Sequence, residues 1–192
     1  VSPDNPLIHM GFWPGGDRDG NPFVVTDITL KVAALLRGSI IKCYYLEVRR
    51  LKRRLTFTGV DVLLAGLEKK LYDNIFIPGH TTSLSKDEIL ATLFEIRSIL
   101  IHQHNGLFQQ SVEQLINRVQ LFGLHFASLD IRQDSSVHKQ VLATIAAKDS
   151  SVTFPYLPAY KTNPENKATD ELVKETLDVM KNIRTIQQAN GE

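Results

Sequence analysis

His125-Phe126-Ala127-Ser128-Leu129-Asp130-Ile131-Arg132-Gln133-Asp134-Ser135 is the stretch on which the fold turns. Residues 125–131 predict a strand. Successive side chains of a strand point to opposite faces, so Leu129 and Ile131 share one face while Asp130 and Arg132 share the other. A helix is expected from Ser135 or Ser136, with Val137, Val141, Leu142 and Ile145 turned inward. A strand running straight into a helix sets Arg132 at the strand's carboxyl end, where α/β proteins gather ligands.

Towards the N-terminus the pattern is helical for about a hundred residues. Val112, Leu115, Ile116 and Val119 mark a helix that Gly123 is expected to close as a left-handed cap. Ser85 with Glu88 three positions on reads as a capping box, opening a helix with Ile89, Leu93, Ile96 and Leu100 on one face. Another helix spans roughly 60 to 75. From Thr26, a candidate N-cap, apolar residues fall at Ile28, Val32, Leu36, Ile40, Tyr44, Val48, Leu51 and Leu55, the spacing of one long amphipathic helix.

Leu7 to Phe12 predicts a second strand, stopped by Trp13-Pro14-Gly15-Gly16. Beyond the first stretch, a Pro-containing loop covers about 149–168 and a last helix runs from about 169 to 189. The chain thus divides into a strand and loop at 7–22, a helical insert at 26–122, a strand and motif at 124–138, and helix, loop and helix at 139–192. Two strands so far apart pair in parallel through a long crossover. The expected fold class is mainly α with two short parallel strands, and two strands alone make a poor sheet. The chain therefore reads as a single piece of a larger α/β protein, and Val1-Ser2-Pro3-Asp4-Asn5-Pro6, with no initiator Met, suits that reading.

The 192 residues, 43% apolar, suffice for a core. With 22 Lys+Arg against 21 Asp+Glu, the net charge of +1 supplies no field that would draw nucleic acid or an acidic membrane. One cysteine, Cys43, excludes an internal disulfide framework and a Cys-based zinc site. Neither a signal peptide nor an apolar run near 18 residues is present, so a cytoplasmic location is expected.

Gly15-Gly16-Asp17-Arg18-Asp19-Gly20-Asn21-Pro22 combines three glycines with an arginine between two carboxylates. Such a loop can offer bare N–H groups and a bidentate guanidinium to an anion, with Asp17 or Asp19 fixing Arg18. A tight surface turn uses the same residue types. Pro22 and Ile28 stand where an EF-hand needs its Gly and its Glu, which excludes that calcium loop. For Arg132 the alternatives are an anion donor at the strand end or a structural ion pair with Asp130. His138 reads as a packing or capping residue.

These two segments resemble phosphoenolpyruvate carboxylases, which carry G-G-D-R-D-G-N-P after an aromatic residue and, farther on, [LI]-D-I-R-Q-[ED]-S-x-x-H. Gly15 to Pro22 and Leu129 to His138 match both, in that order, with a helical stretch between. Pro14 stands where many members have Met, Asp134 replaces the commoner Glu, and Val137 replaces a frequent Arg. After residue 147 no E-L-x-x-x-R-P-L segment is evident.

The resemblance implies a fragment of an α/β barrel of eight strands surrounded by helices. It implies a lyase that carboxylates phosphoenolpyruvate with bicarbonate, through carboxyphosphate and an enolate, to give oxaloacetate and phosphate. The parent enzyme would use Mg2+ or Mn2+, assemble as a homotetramer and serve carbon dioxide fixation. On this template Arg132 and Arg18 bind substrate, and Asp17, Asp19, Gly20, Asn21, Asp130 and Gln133 support them. The catalytic His of a T-A-H-P-T motif and the metal ligands are expected outside the chain, so no metal is bound and no catalytic set is complete here. The isolated fragment is expected to be inactive.

A competing reading is a helical interaction module. Arg49, Arg50, Lys52, Arg53 and Arg54 set five cations in six positions, which would suit an acidic partner, although cations at a helix C-terminus also complement its dipole.

Overall fold

A computed structural model describes residues 10–19, 21, 23–77, 84–148 and 167–190, with side chains in the last segment from Asp170. The elements in chain order are β1 (Gly11–Phe12), α1 (Thr26–Arg54), α2 (Val60–Phe76), α3 (Lys86–Gln103), α4 (Gln109–Phe122), β2 (Ser128–Leu129), α5 (Ser135–Lys148) and α6 (Lys167–Asn190). The fold is mainly helical with two short parallel strands, as expected. Residues 7–9 of the expected first strand, and most of the loop at 149–168, lie outside the described residues.

The described chain packs as two compact units, one formed by Ala34–Ser128 with Met10 and Asn190, the other by Gly11–Ala33 and Leu129–Ala189. In the first, the inward faces of α1 to α4 close one apolar core. Tyr44, Val48, Leu55, Val60, Leu64, Leu71, Leu93, Ile96, Leu100 and Val119 are all but inaccessible, and α3 packs against both α4 and α2. The 3.6-residue periodicity read from the sequence is what sets these side chains on one stripe.

Helix ends in this unit follow local chemistry. Ser85 Oγ accepts from the Glu88 N–H at 3.1 Å, satisfying one unpaired donor of the first turn of α3. The Glu88 carboxylate does not return the favour; it pairs with Lys70 of α2, so only half of a capping box forms. Gly123 closes α4 with φ 53° and ψ −138°, a positive φ that suits glycine but lies outside the left-handed region expected of it. The buried Tyr44 hydroxyl donates to the Gly123 carbonyl at 2.7 Å and reaches the Arg118 carbonyl at 3.4 Å, tying the end of α4 to α1.

The second strand is shorter than the sequence suggests. Phe126 has φ 68° and the Ala127 N–H bonds to the His125 carbonyl; the chain is still turning out of α4 there, so β2 begins only at Ser128. The ladder is parallel, since Ser128 N–H donates to the Met10 carbonyl and Asp130 N–H to that of Phe12, both at 2.9 Å. Next, Arg132 N–H reaches the Gly16 carbonyl where a regular ladder would use Pro14, so two residues loop out of the first strand before Asp17 rejoins it.

Candidate functional site

Everything that could handle an anion in the two motifs lies in the second unit. The looped-out segment is held on both sides. Thr29 of α1 donates its hydroxyl to the Gly15 carbonyl at 2.8 Å. A Cβ on Gly16 would lie 2.0 Å from the Asp130 carbonyl oxygen, so the glycine there permits close approach of two backbones. The Gly16 N–H donates to the Trp13 carbonyl at 3.0 Å and the Arg18 N–H to the Arg132 carbonyl at 2.9 Å. Two of the loop's N–H donors, those of Gly16 and Arg18, are thus spent inside the protein.

Arg18 has only 8% of its side chain exposed and meets Glu175 of α6 at 2.6 Å. The same Glu175 oxygen accepts the Thr26 N–H at 2.7 Å and the Thr26 hydroxyl, so a carboxylate sits at the N-terminus of α1, where the helix dipole favours it. Burial raises the Glu175 pKa, but the Thr26 bonds and the Arg18 guanidinium together outweigh it and hold the carboxyl below its usual range. The carboxylate that fixes Arg18 is therefore Glu175, not Asp17 or Asp19. Arg18 also lines a cavity of about 100 Å³ with Ile131, Gln133, His138 of α5, and Thr176 and Met180 of α6.

Arg132 lies elsewhere. Its guanidinium carbon is 5.1 Å from the centroid of the Trp13 ring, and one nitrogen meets Asp130 at 3.4 Å. Both partners of that pair are about half exposed, so the contact adds little to stability. Trp13 in turn donates its indole N–H to Asp17 at 2.7 Å. Ile131 and Gln133 face the cavity of Arg18, so the alternation along the chain sends Arg132 and Asp130 the other way. The two arginines are neighbours through their backbones, but Arg132 is not among the residues that line the cavity of Arg18.

The remaining candidates are placed as follows. Asn21 caps a turn by accepting the Phe23 N–H on its side-chain oxygen at 3.1 Å. Asp19 is exposed. Gln133 accepts the Asp134 N–H at 3.0 Å, and Asp134 accepts that of Ser136 at 2.6 Å. The Ser136 hydrogen bonds hold the Asp134 carboxyl below its usual range. Gly20 and Pro22 lie outside the described residues. Among the described residues no group of three or more His, Cys, Asp or Glu side chains converges as a metal site. No helix among them is long and apolar enough to cross a membrane.

The family model of phosphoenolpyruvate carboxylase matches residues 1–76 and 67–192. The chain belongs to the phosphoenolpyruvate carboxylase family. It is 29% identical to the phosphoenolpyruvate carboxylase of Nitrosomonas eutropha over 75% of its own length and 20% of that protein. It is 28% identical to that of Nitrosomonas europaea, with 79% and 20% covered, and 27% identical to that of Aromatoleum aromaticum, with 73% and 20% covered. The chain thus spans about a fifth of the length of the curated relatives it matches.

Sequence reasoning missed two members of the site. Trp13 entered only as the residue that stops a strand, though an aromatic beside a glycine-rich loop with an arginine at the neighbouring strand end was a usable signal. Glu175 lies 157 positions from Arg18, and nothing in the amphipathic pattern of the last helix singles it out. In the basic run, Arg49 and Lys52 pair with Glu68, and Arg50 with Glu47, so three of its five cations have carboxylate partners.

Proposed function

We propose that this chain supplies the anion-facing strand edge of a phosphoenolpyruvate carboxylase, a lyase that joins bicarbonate to phosphoenolpyruvate and yields oxaloacetate and phosphate. The observation that supports the reading is the parallel register of the two motifs, which brings the Asp17-Arg18 segment beside Arg132 at one strand edge. Arg132 is the direct donor in this reading. It is half exposed, and Asp130 engages only one of its nitrogens, so planar N–H pairs remain for the carboxylate or phosphate of the substrate. Charge that develops on oxygen during carboxylation is stabilised most by donors already fixed in place. Arg18, whose charge Glu175 shares, contributes mainly by holding the loop.

The rest of the machinery belongs to the longer protein this reading requires: a barrel completed by other strands, a catalytic histidine, ligands for Mg2+ or Mn2+, and a homotetrameric, cytoplasmic assembly. Positioned groups act as a unit, so the 192-residue chain alone forms no oxaloacetate. The test is a coupled assay for oxaloacetate formed from phosphoenolpyruvate and bicarbonate with Mg2+. No turnover is expected from the isolated chain, and Arg132→Gln in the complete enzyme is expected to lower kcat by about 10²–10³-fold. Turnover by the isolated chain, or an unaffected Arg132→Gln enzyme, would refute the reading.

A further inference from the structure

Arg132 is an exposed arginine with unusually little freedom. Its guanidinium carbon lies over the Trp13 ring, 5.1 Å from the ring centroid, and Asp130 holds one nitrogen at 3.4 Å. The ring itself cannot swing away without cost, because its Nε1–H donates to Asp17 Oδ2 at 2.7 Å. Asp17 is paired through its backbone with Arg132, so the tether returns to the residue it restrains. Core packing does not account for Trp13, which is 55% exposed.

A free arginine side chain loses much rotamer freedom when it binds an anion, and restraining it beforehand removes part of that loss. An aromatic ring suits the task. It attracts the cation by its face and leaves the in-plane N–H edge open, the edge that matches two oxygens of a carboxylate or phosphate. We propose that Trp13 is the positioning residue of Arg132, stacked on it and tethered by Asp17 so that the guanidinium presents its free N–H edge to a planar or tetrahedral oxyanion. The inference rests on the reading of Arg132 as the anion donor given above.

The test uses the whole 192-residue chain with nitrogen-15 arginine, the Arg132 Nε–H signal being identified by its loss in Arg132→Gln. That signal is expected to carry an upfield ring-current shift, lost in Trp13→Leu and partly kept in Trp13→Phe. Trp13 is the only tryptophan, so its emission, changed by Arg132→Gln, gives an unmixed second signal. On titration with phosphoenolpyruvate, Trp13→Leu is expected to bind about two- to fivefold more weakly, with Trp13→Phe recovering most of the loss and Asp17→Ala falling between. Inorganic phosphate and acetate, titrated separately, show which of the substrate's two anionic groups the arginine takes.

An Arg132 signal unchanged in Trp13→Leu, or equal affinities in the two chains, overturns the positioning role while leaving Arg132 as the donor. A signal with the full ring-current shift that ignores phosphoenolpyruvate and phosphate alike overturns the anion-donor reading, and the positioning role with it. If Trp13→Leu loses its helical circular dichroism, Trp13→Phe and Asp17→Ala decide by the same two measurements.

Discussion

The Arg18 N–H donates to the Arg132 carbonyl at 2.9 Å, yet the two side chains leave this contact in opposite directions. One is buried against Glu175 and the other lies in the open over the Trp13 ring. Adjacent arginines in one motif pair thus hold different electrostatic positions. Arg18 is neutralised and acts as a fastener between the loop and α6, while Arg132 keeps donors for an incoming charge.

Removing the fastener should cost stability. Glu175→Ala would leave the buried Arg18 without its carboxylate and Thr26 without its acceptor. Because the Glu175 side chain is 36% exposed, the expected loss is moderate, about 1–3 kcal/mol in urea unfolding, with Glu175→Gln nearer the lower end.

The same carboxylate sets an acid limb. The folded-state pKa of Glu175 is depressed, so its contribution is complete above the ordinary glutamate value of about 4.3 and is lost as pH falls through the lower folded value. Thermal melts between about pH 6 and pH 2 should show a stability loss on acidification that is reduced in Glu175→Gln. An unchanged acid limb in that variant would remove Glu175 from the account.

Gly16→Ala is expected to be among the most damaging single changes in the loop. Its methyl group would lie 2.0 Å from the Asp130 carbonyl oxygen, a backbone atom that can move only if the strands part. Overpacking of this kind costs about 1–3 kcal/mol or more. A chain with Gly16→Ala should unfold at lower urea than wild type and, if folded, lose the Trp13 and Arg132 signature.

Tyr44→Phe removes the hydroxyl that serves the Gly123 carbonyl and leaves that carbonyl at a buried site. The expected loss is about 1–2 kcal/mol by denaturant unfolding, with the helical spectrum retained because the ring still fills its place.

Helices were more legible in the sequence than the site was. The long helix from Thr26 declared itself because seven apolar residues from Ile28 to Leu51 follow its spacing, and Ser85 because a cap acts on a backbone donor three residues away. Both are local signals. The late start of the second strand was not legible: β2 is cut back by the positive φ of Phe126, a non-glycine residue that carries no sequence mark of that conformation. Arg18 was matched with the wrong carboxylates for a similar reason. Asp17 and Asp19 are its neighbours in sequence, but Asp17 is engaged by Trp13, and the true partner comes from a helix across the fold. Likewise the glycines gave the loop's close approach but not its target, which is the Asp130 carbonyl.

The unit that bears both motifs is built from two separated lengths of chain, Gly11–Ala33 and Leu129–Ala189. On a ribosome adding about 5–20 residues per second, the first strand would wait on the order of 5–20 seconds for its partner to be made. During that interval the Gly11–Phe12 edge lacks the strand it pairs with, and such an unpaired edge is open to wrong pairings. Meanwhile the intervening helices, whose contacts are more local, can close early and shorten the span the late strand must bridge. The vulnerable period in the life of this protein is therefore its synthesis, and slowed translation after the helical insert would harm its yield more than an equal delay before it.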